Sequence, residues 1–189
     1  MKKGLLVVIS SPSGGGKDSV INELLELIPD STRLVSTTSR RPRPGNEEGV
    51  DYHFVSKEDF EKKIRDGELI EYNEYVGNYY GAEKNKLKET LKQYNVVLSQ
   101  IDVHGKHSLD KFNIKHLSIF LLPDSLDILA ERIRKRGGIF EKELEKRLET
   151  ARQEIEDSKD YDYRIVNKDG KIDETVAKIR EIIKNKQKS

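Results

Sequence analysis

Gly14, Gly15 and Gly16 stand directly before Lys17, between a short apolar run at residues 5–9 and a helical pattern. The stretch nearly matches the phosphate-binding loop G-x-x-x-x-G-K-[ST], with Gly16 and Lys17 in register. Glycines in such a loop let backbone N–H groups converge on phosphate oxygens, and the helix that follows adds the positive end of its dipole. Lys17 would then reach the β- and γ-phosphates of a nucleoside triphosphate. Two positions depart from the pattern. Ser11 stands where the first glycine belongs, and Asp18 where the hydroxyl residue belongs, with Ser19 immediately after.

Three further clusters could do chemistry with phosphates. The first is Ser36-Thr37-Thr38-Ser39-Arg40-Arg41-Pro42-Arg43, with Asp51-Tyr52 shortly after. Arginines on a proline-stiffened loop suit forked contacts with a phosphate; a solvated basic loop accounts for the cluster equally well. The second is Glu71 with Tyr79-Tyr80-Gly81-Ala82. A carboxylate can accept two N–H bonds from a guanine edge and tyrosine hydroxyls can bind phosphate, but a strand acid among half-buried aromatics is the simpler local account. The third is Arg132, Arg134, Arg136 and Arg147 around Gly137-Gly138. Arginines of this kind can neutralise charge on a phosphoryl group in transfer, or merely decorate helix faces. Asp102, ending an apolar run, could help hold magnesium or simply terminate a strand. The four histidines form no metal-ligand motif.

The elements that must position these residues alternate. Apolar, β-rich runs at 5–10, 34–37, 95–101, 116–122 and 163–166 predict five core strands. Helical faces fall at Val20, Ile21, Leu24, Leu25 and Ile28; at Leu126, Leu129, Ala130 and Ile133; at Leu144, Leu148, Ala151 and Ile155; and at Val176, Ile179 and Ile183. Strands alternating with helices predict an α/β domain, a parallel sheet covered on both faces. Residues 40–81 break the rhythm with prolines and short strand candidates at 52–55 and 68–72. They read as a small, partly β insertion over the sheet's carboxyl edge. A second irregular piece, residues 134–142, reads as a lid between two helices.

Composition narrows the classes. A chain of 189 residues supports one domain. Its 35 basic and 34 acidic residues nearly cancel, which argues against a nucleic-acid binder. It has no cysteine, which excludes disulfides and suits a reducing compartment. The run at 5–9 is too short to span a membrane. No targeting segment is expected, and the Lys-rich end at 184–188 reads as a solvated helix tail.

In order and spacing the clusters resemble the guanylate kinase family over nearly the whole chain. The resemblance is carried by Ser13-Gly14-Gly15-Gly16-Lys17, by Thr38-Ser39-Arg40-Arg41-Pro42-Arg43-Pro44-Gly45, and by Gly49-Val50-Asp51-Tyr52-His53-Phe54. It continues through Glu71, Gly77-Asn78-Tyr79-Tyr80-Gly81, Ile101-Asp102, Arg136-Gly137, Lys146-Arg147-Leu148, Asp160-Tyr161-Asp162-Tyr163 and Ile165-Val166-Asn167. The arginine-proline block followed by D-Y-x-F and N-Y-Y-G is the specific part.

The resemblance implies a P-loop kinase fold: a five-stranded parallel sheet flanked by helices, with a core at 1–35 and 82–189, a mixed α/β GMP-binding segment at 36–81 and a lid at 134–147. It implies transfer of the ATP γ-phosphoryl group to GMP, giving ADP and GDP, with magnesium, in the cytoplasm, by a monomer or homodimer. Lys17, Arg136 and Arg147 would be catalytic. ATP would meet Ser13, Gly14, Gly15, Gly16, Lys17, Asp18, Ser19, Arg132 and Asn167, the last near adenine. GMP would meet Ser36, Arg40, Arg43, Tyr52, Glu71, Tyr80 and Asp102, and magnesium Asp18, Ser19 and Asp102.

Several positions depart from the family pattern. Ala82 replaces a serine that bonds guanine, at a cost of about 0.5–1.5 kcal/mol. Gln100 replaces the first acid of D-I-D, His104 a glutamine, and Gly138-Ile139-Phe140 a polar lid stretch. Asp18 could restore a carboxylate beside the metal. Two alternatives follow: a kinase of the same fold with a drifted phosphate-bearing acceptor, and a non-catalytic binding module. The second has no need for Lys17, Arg136 and Arg147 together.

Overall fold

The computed structural model describes residues 4–75, 77–135 and 140–188. Strand β1 (Leu5–Ser10) leads into α1 (Lys17–Leu27) and β2 (Ser31–Arg33). A branch of the chain follows, made of β3 (Thr37–Thr38), β4 (His53–Phe54), α2 (Lys57–Arg65), β5 (Leu69–Tyr75) and β6 (Asn78–Glu83). The chain returns through α3 (Lys84–Gln93), β7 (Val96–Ser99), α4 (Val103–Lys111) and β8 (Leu117–Pro123). It closes with α5 (Leu126–Lys135), α6 (Glu141–Asp157), a 3-10 turn at Ser158–Asp160, β9 (Tyr163–Asn167) and α7 (Ile172–Lys188).

The larger sheet has five strands in the order β2-β7-β1-β8-β9, every pair parallel. Alternate residues of β1 serve its two faces. Val7 and Ile9 pack with Val20, Ile21 and Leu24 of α1 and Val176, Ile179 and Ile183 of α7. Leu6 and Val8 pack with Leu87 of α3 and Leu109 of α4. A strand covered on both sides must be apolar throughout, which is why β1 reads as a continuous run. The chain leaves β1 toward β2 and leaves β7 toward β8, on opposite sides of β1 in the sheet order. Such a reversal opens a crevice at the carboxyl ends of the two strands.

The smaller sheet, β4-β3-β6-β5, joins β3 to β4 in parallel and β3 to β6 to β5 antiparallel. Ile70 and Ala82 tie it to the larger sheet by packing with Leu34, Ile101 and Leu109. On its outer side Phe60 of α2 is fully buried and stacks on Tyr79 at 5.3 Å between centroids.

Three expectations change. The strand expected at 34–37 is not in the core sheet, whose edge is Ser31–Arg33. The Leu34 N–H donates to the Leu98 carbonyl at 2.8 Å, and the chain then turns into the second sheet. There the buried Thr37 and Thr38 hydroxyls donate to Glu83 Oε1 (2.5 Å) and the Tyr79 carbonyl (2.8 Å). The irregular piece expected at 134–142 is helical at both ends, since α5 reaches Lys135 and α6 starts at Glu141. The Arg134 guanidinium grips both Glu141 carboxylate oxygens at 3.1 Å across the junction. Gly137 and Gly138, with Arg136 and Ile139, lie outside the described residues. Third, α2 and α3 carry no helical face in the sequence reading, because each buries one apolar side chain, Phe60 or Leu87.

Candidate active site

The chain between β1 and α1 turns through Gly14 (φ 89°) and Gly16 (φ 87°), both left-handed, the region where a Cβ is strained. Gly16 caps α1, and the Gly15 N–H donates to the Pro12 carbonyl at 2.8 Å. A Cβ on Gly15 would lie 2.7 Å from both Cβ and Oγ of Ser11. The side chain standing where the motif has its first glycine therefore occupies the space a residue at position 15 would need. Asp18 lies in the first turn of α1, where the helix dipole favours a carboxylate.

A cleft of about 350 Å³ opens beside this loop. It is bounded by residues 13–18 on one side, by Ser36, Tyr52, Glu71 and Tyr80 of the small sheet and its approaches on another, and by Asp102 and Glu154. A second cavity of about 350 Å³ shares Gly14 and Gly16 with the first and is lined by Ser19, Arg132, Asn167 and Lys168. Asn167 reaches the loop itself, its side-chain amide donating to the Gly15 carbonyl at 3.0 Å. Its Oδ1 is buried without a hydrogen-bond partner among the described residues.

Glu71 sits beside a bulge in β5, paired with Ala82 of β6. Burial pushes its carboxyl up to about 7, Asp102 adds to the rise, and a hydrogen bond from the Ala82 backbone opposes it. The first turn of α4 presses on it: a Cβ on Gly105 would lie 3.0 Å from Glu71 Cγ. Asp102 caps α4, its Oδ1 accepting from the Gly105 N–H at 2.8 Å. Ala82 is buried in the core and does not line the cleft.

Arg40 stands over the Tyr52 and Phe54 rings at 5.5 and 5.8 Å and donates to Asn46 Oδ1 at 3.0 Å. Tyr52 and Tyr80 meet edge to face at 5.9 Å. Arg40, Tyr52 and Tyr80 thus form one basic, hydroxylated corner. Arg43 is exposed on the same loop, and neither arginine lines the cleft. Arg132 pairs with Asp169 at 2.7 Å, and Arg147 pairs with Glu143 at 2.8 Å. Ser19 is separated from the other two expected metal ligands, since it lines the second cavity while Asp18 and Asp102 line the first. Arg136 lies outside the described residues.

Sequence reasoning missed Glu154 and Asn73, and saw Gln100 only as a departure. All three line the cleft, and Gln100 Oε1 is buried without a partner among the described residues. The only sequence signal for Glu154 is its place seven residues after Arg147, on the same face of α6. Its half-buried carboxyl is pushed up to about 7 by burial and by Asp102, against the pull of Lys17 and His104. Deep in the site the Tyr161 hydroxyl donates to Ser10 Oγ at 2.8 Å, and Ser10 to the Ile101 carbonyl at 2.6 Å. That chain joins the ends of β1 and β7 to the segment before β9.

A glycine loop at the carboxyl edge of a parallel sheet, with a lysine opening the next helix, defines the class: a P-loop nucleotide-binding α/β protein. The guanylate kinase family model matches residues 3–186, so the chain belongs to the guanylate kinase family. A guanylate kinase of Oceanobacillus iheyensis is 42% identical over 184 residues, covering 97% of this chain and 88% of that protein. One from Clostridioides difficile is 43% identical over 171 residues, covering 90% and 83%. The crystal structure of guanylate kinase from Anaplasma phagocytophilum superposes with a TM-score of 0.73 at 34% identity, covering 100% of this chain and 89% of that one. A shikimate kinase structure from Bacteroides thetaiotaomicron, 16% identical with a TM-score of 0.52, shares the fold alone.

Proposed function

We propose that this member of the guanylate kinase family transfers the γ-phosphoryl group of ATP to GMP, giving ADP and GDP. The observation that carries the reading is the cleft itself. One side is the phosphate loop with Lys17; the other offers a largely buried carboxylate, Glu71, flanked by Ser36, Tyr52 and Tyr80. In this reading Glu71 accepts the N–H donors of the guanine edge, with Asp102 and Ser36 completing the polar wall. Tyr52, Tyr80 and Arg40 hold the GMP phosphate, and residues 36–81 close on the core to bring Arg43 to it. The second cavity takes the nucleoside end of ATP against Arg132, Asn167 and Lys168.

Lys17 and the loop N–H groups stabilise charge on the transferred phosphoryl group, and Arg147 joins them on exchanging its Glu143 pair for phosphate. Catalysis is then positioning and charge stabilisation, with no covalent intermediate. The donor chemistry near the loop suits magnesium: Asp18, Asp102 and Gln100 Oε1, the last buried without a partner among the described residues, are all hard oxygen donors. Among the described residues no group of three or more His, Cys, Asp or Glu could hold a metal. An ion shared with substrate phosphates and carried by one or two side chains fits that set. Bound there, it would neutralise negative charge on the ATP phosphates. No helix among the described residues is long and apolar enough to cross a membrane. From the family membership, and not from that absence, we place the activity in the cytoplasm.

The test is ADP formation from ATP and magnesium in the presence of GMP, AMP, CMP or UMP. Turnover stimulated by GMP well above the other three is expected. Absence of GMP-stimulated turnover at millimolar GMP would overturn the reading.

A further inference from the structure

Above about pH 7, where Glu154 is ionised, Glu154 and Lys17 carry opposite charges into one cleft, and neither side chain makes a hydrogen bond or ion pair with another described residue. Lys17 opens α1 directly after the left-handed Gly16, so its backbone is fixed while its four-carbon stem is free to swing. Glu154 comes from a distant element, the C-terminal half of α6, on the face that also carries Arg147. Structural reasons for an acid here are lacking. It does not cap α6, which ends at Asp157, and the nearby Asp102 and Asp157 raise the cost of its charge. An ionisable group kept in a cleft against such a cost points to the chemistry of that cleft.

We propose that Glu154 is a positioning residue for phosphoryl transfer: its carboxylate draws the Lys17 ammonium across the mouth of the phosphate loop, into the gap facing Asp102. The inference rests on the phosphotransfer reading above. In a cleft screened less than bulk water, a fixed counter-charge narrows the directions a flexible ammonium explores. A misplacement of about 1 Å in a group acting on the transferred phosphate costs up to about a hundredfold in rate. His104 of α4 also favours the ionised form of Glu154, and it does not line the cleft.

The experiment compares the wild type with Glu154→Gln, Glu154→Asp, Lys17→Met and the Glu154→Gln/Lys17→Met pair. Glu154→Gln is expected to lower kcat about ten- to a hundredfold with both KM values within about threefold. Its Tm should be unchanged or raised. Glu154→Asp should recover part of kcat, and the Gln change should have no further effect in the Lys17→Met background. The side-chain carbon NMR signal of Lys17 should move in Glu154→Gln and stay in place in the control Glu149→Gln. Unchanged kcat, a loss equal in both backgrounds, or a loss that tracks a fall in Tm overturns the proposal. If the wild type shows no GMP-dependent turnover, the phosphotransfer reading fails by itself; an unmoved Lys17 signal then removes the Glu154 contact as well.

Discussion

Ser11 and Gly15 exclude each other's bulk: a Cβ at position 15 would come within 2.7 Å of the Ser11 side chain. The phosphate motif asks for glycine at position 11 and leaves position 15 free. Here the requirement is transferred. Gly15→Ala should therefore destabilise the loop by about 1–3 kcal/mol and weaken ATP binding. Ser11→Gly made together with Gly15→Ala should restore part of both, since the Pro12 carbonyl still lies 3.0 Å from the added Cβ. Thermal denaturation with and without ATP checks the pair; a double variant no better than Gly15→Ala would show that the clash is relieved some other way.

Burial pushes the carboxyls of Glu71 and Glu154 up to about 7, from about 4.5 for an ordinary glutamate. Between those values the native state binds more protons than the unfolded chain. Stability should accordingly fall as pH rises from about 4.5 to about 7, and be fully reduced above it. Denaturant melts across that window should show the slope, and Glu71→Gln should reduce it, leaving the part that Glu154 supplies.

GMP binding should draw on the same proton. If Glu71 accepts guanine N–H bonds as a carboxylate, binding below about pH 7 must release a proton, and GMP affinity must fall as pH drops. Calorimetry in buffers of differing ionisation heat counts the proton. For Glu71→Gln, the proton release should vanish and KM for GMP should rise by about ten- to a hundredfold.

Arg40 and Arg43 should separate by stability. Arg43 is exposed and its side chain makes no hydrogen bond or ion pair among the described residues, so Arg43→Ala should raise KM for GMP with Tm unchanged. Arg40 lies over two aromatic rings and bonds Asn46, so Arg40→Ala should raise KM and also lower Tm by a few degrees. Equal Tm values for the two variants would contradict the difference in packing.

Asn167→Ala should raise KM for ATP several-fold while leaving KM for GMP nearly unchanged, because it removes the donor to the Gly15 carbonyl on the side away from Glu71. Initial rates with each substrate varied in turn check it.

What could be read from the sequence follows from how the burial is arranged. Strand β1 is covered on both faces, so its boundaries, Leu5–Ser10, show as an unbroken apolar run. Strand β2 lies at the sheet's edge with three half-buried residues, Ser31, Thr32 and Arg33, and carries no such signal. The neighbouring apolar pair Leu34-Val35 drew the expected strand toward itself. Strand β6 was missed because Tyr79, Tyr80 and Gly81 read as a ligand motif before they read as a ladder. The phosphate loop was legible because its glycines and lysine are contiguous; Glu71 and Asp102, each equally readable as a strand acid, came forward only through the family resemblance. Glu154 was not legible, since Lys17 and Asp102, which line the same cleft, are distant from it in sequence.

Gly14 and Gly16 line both cavities, and having no side chain they border each chamber with backbone alone. At these two positions no side-chain rotamer can move the boundary between whatever occupies them. One chamber can be reshaped by substitutions on the small sheet without disturbing the other. A change in the wall is felt by both tenants at once.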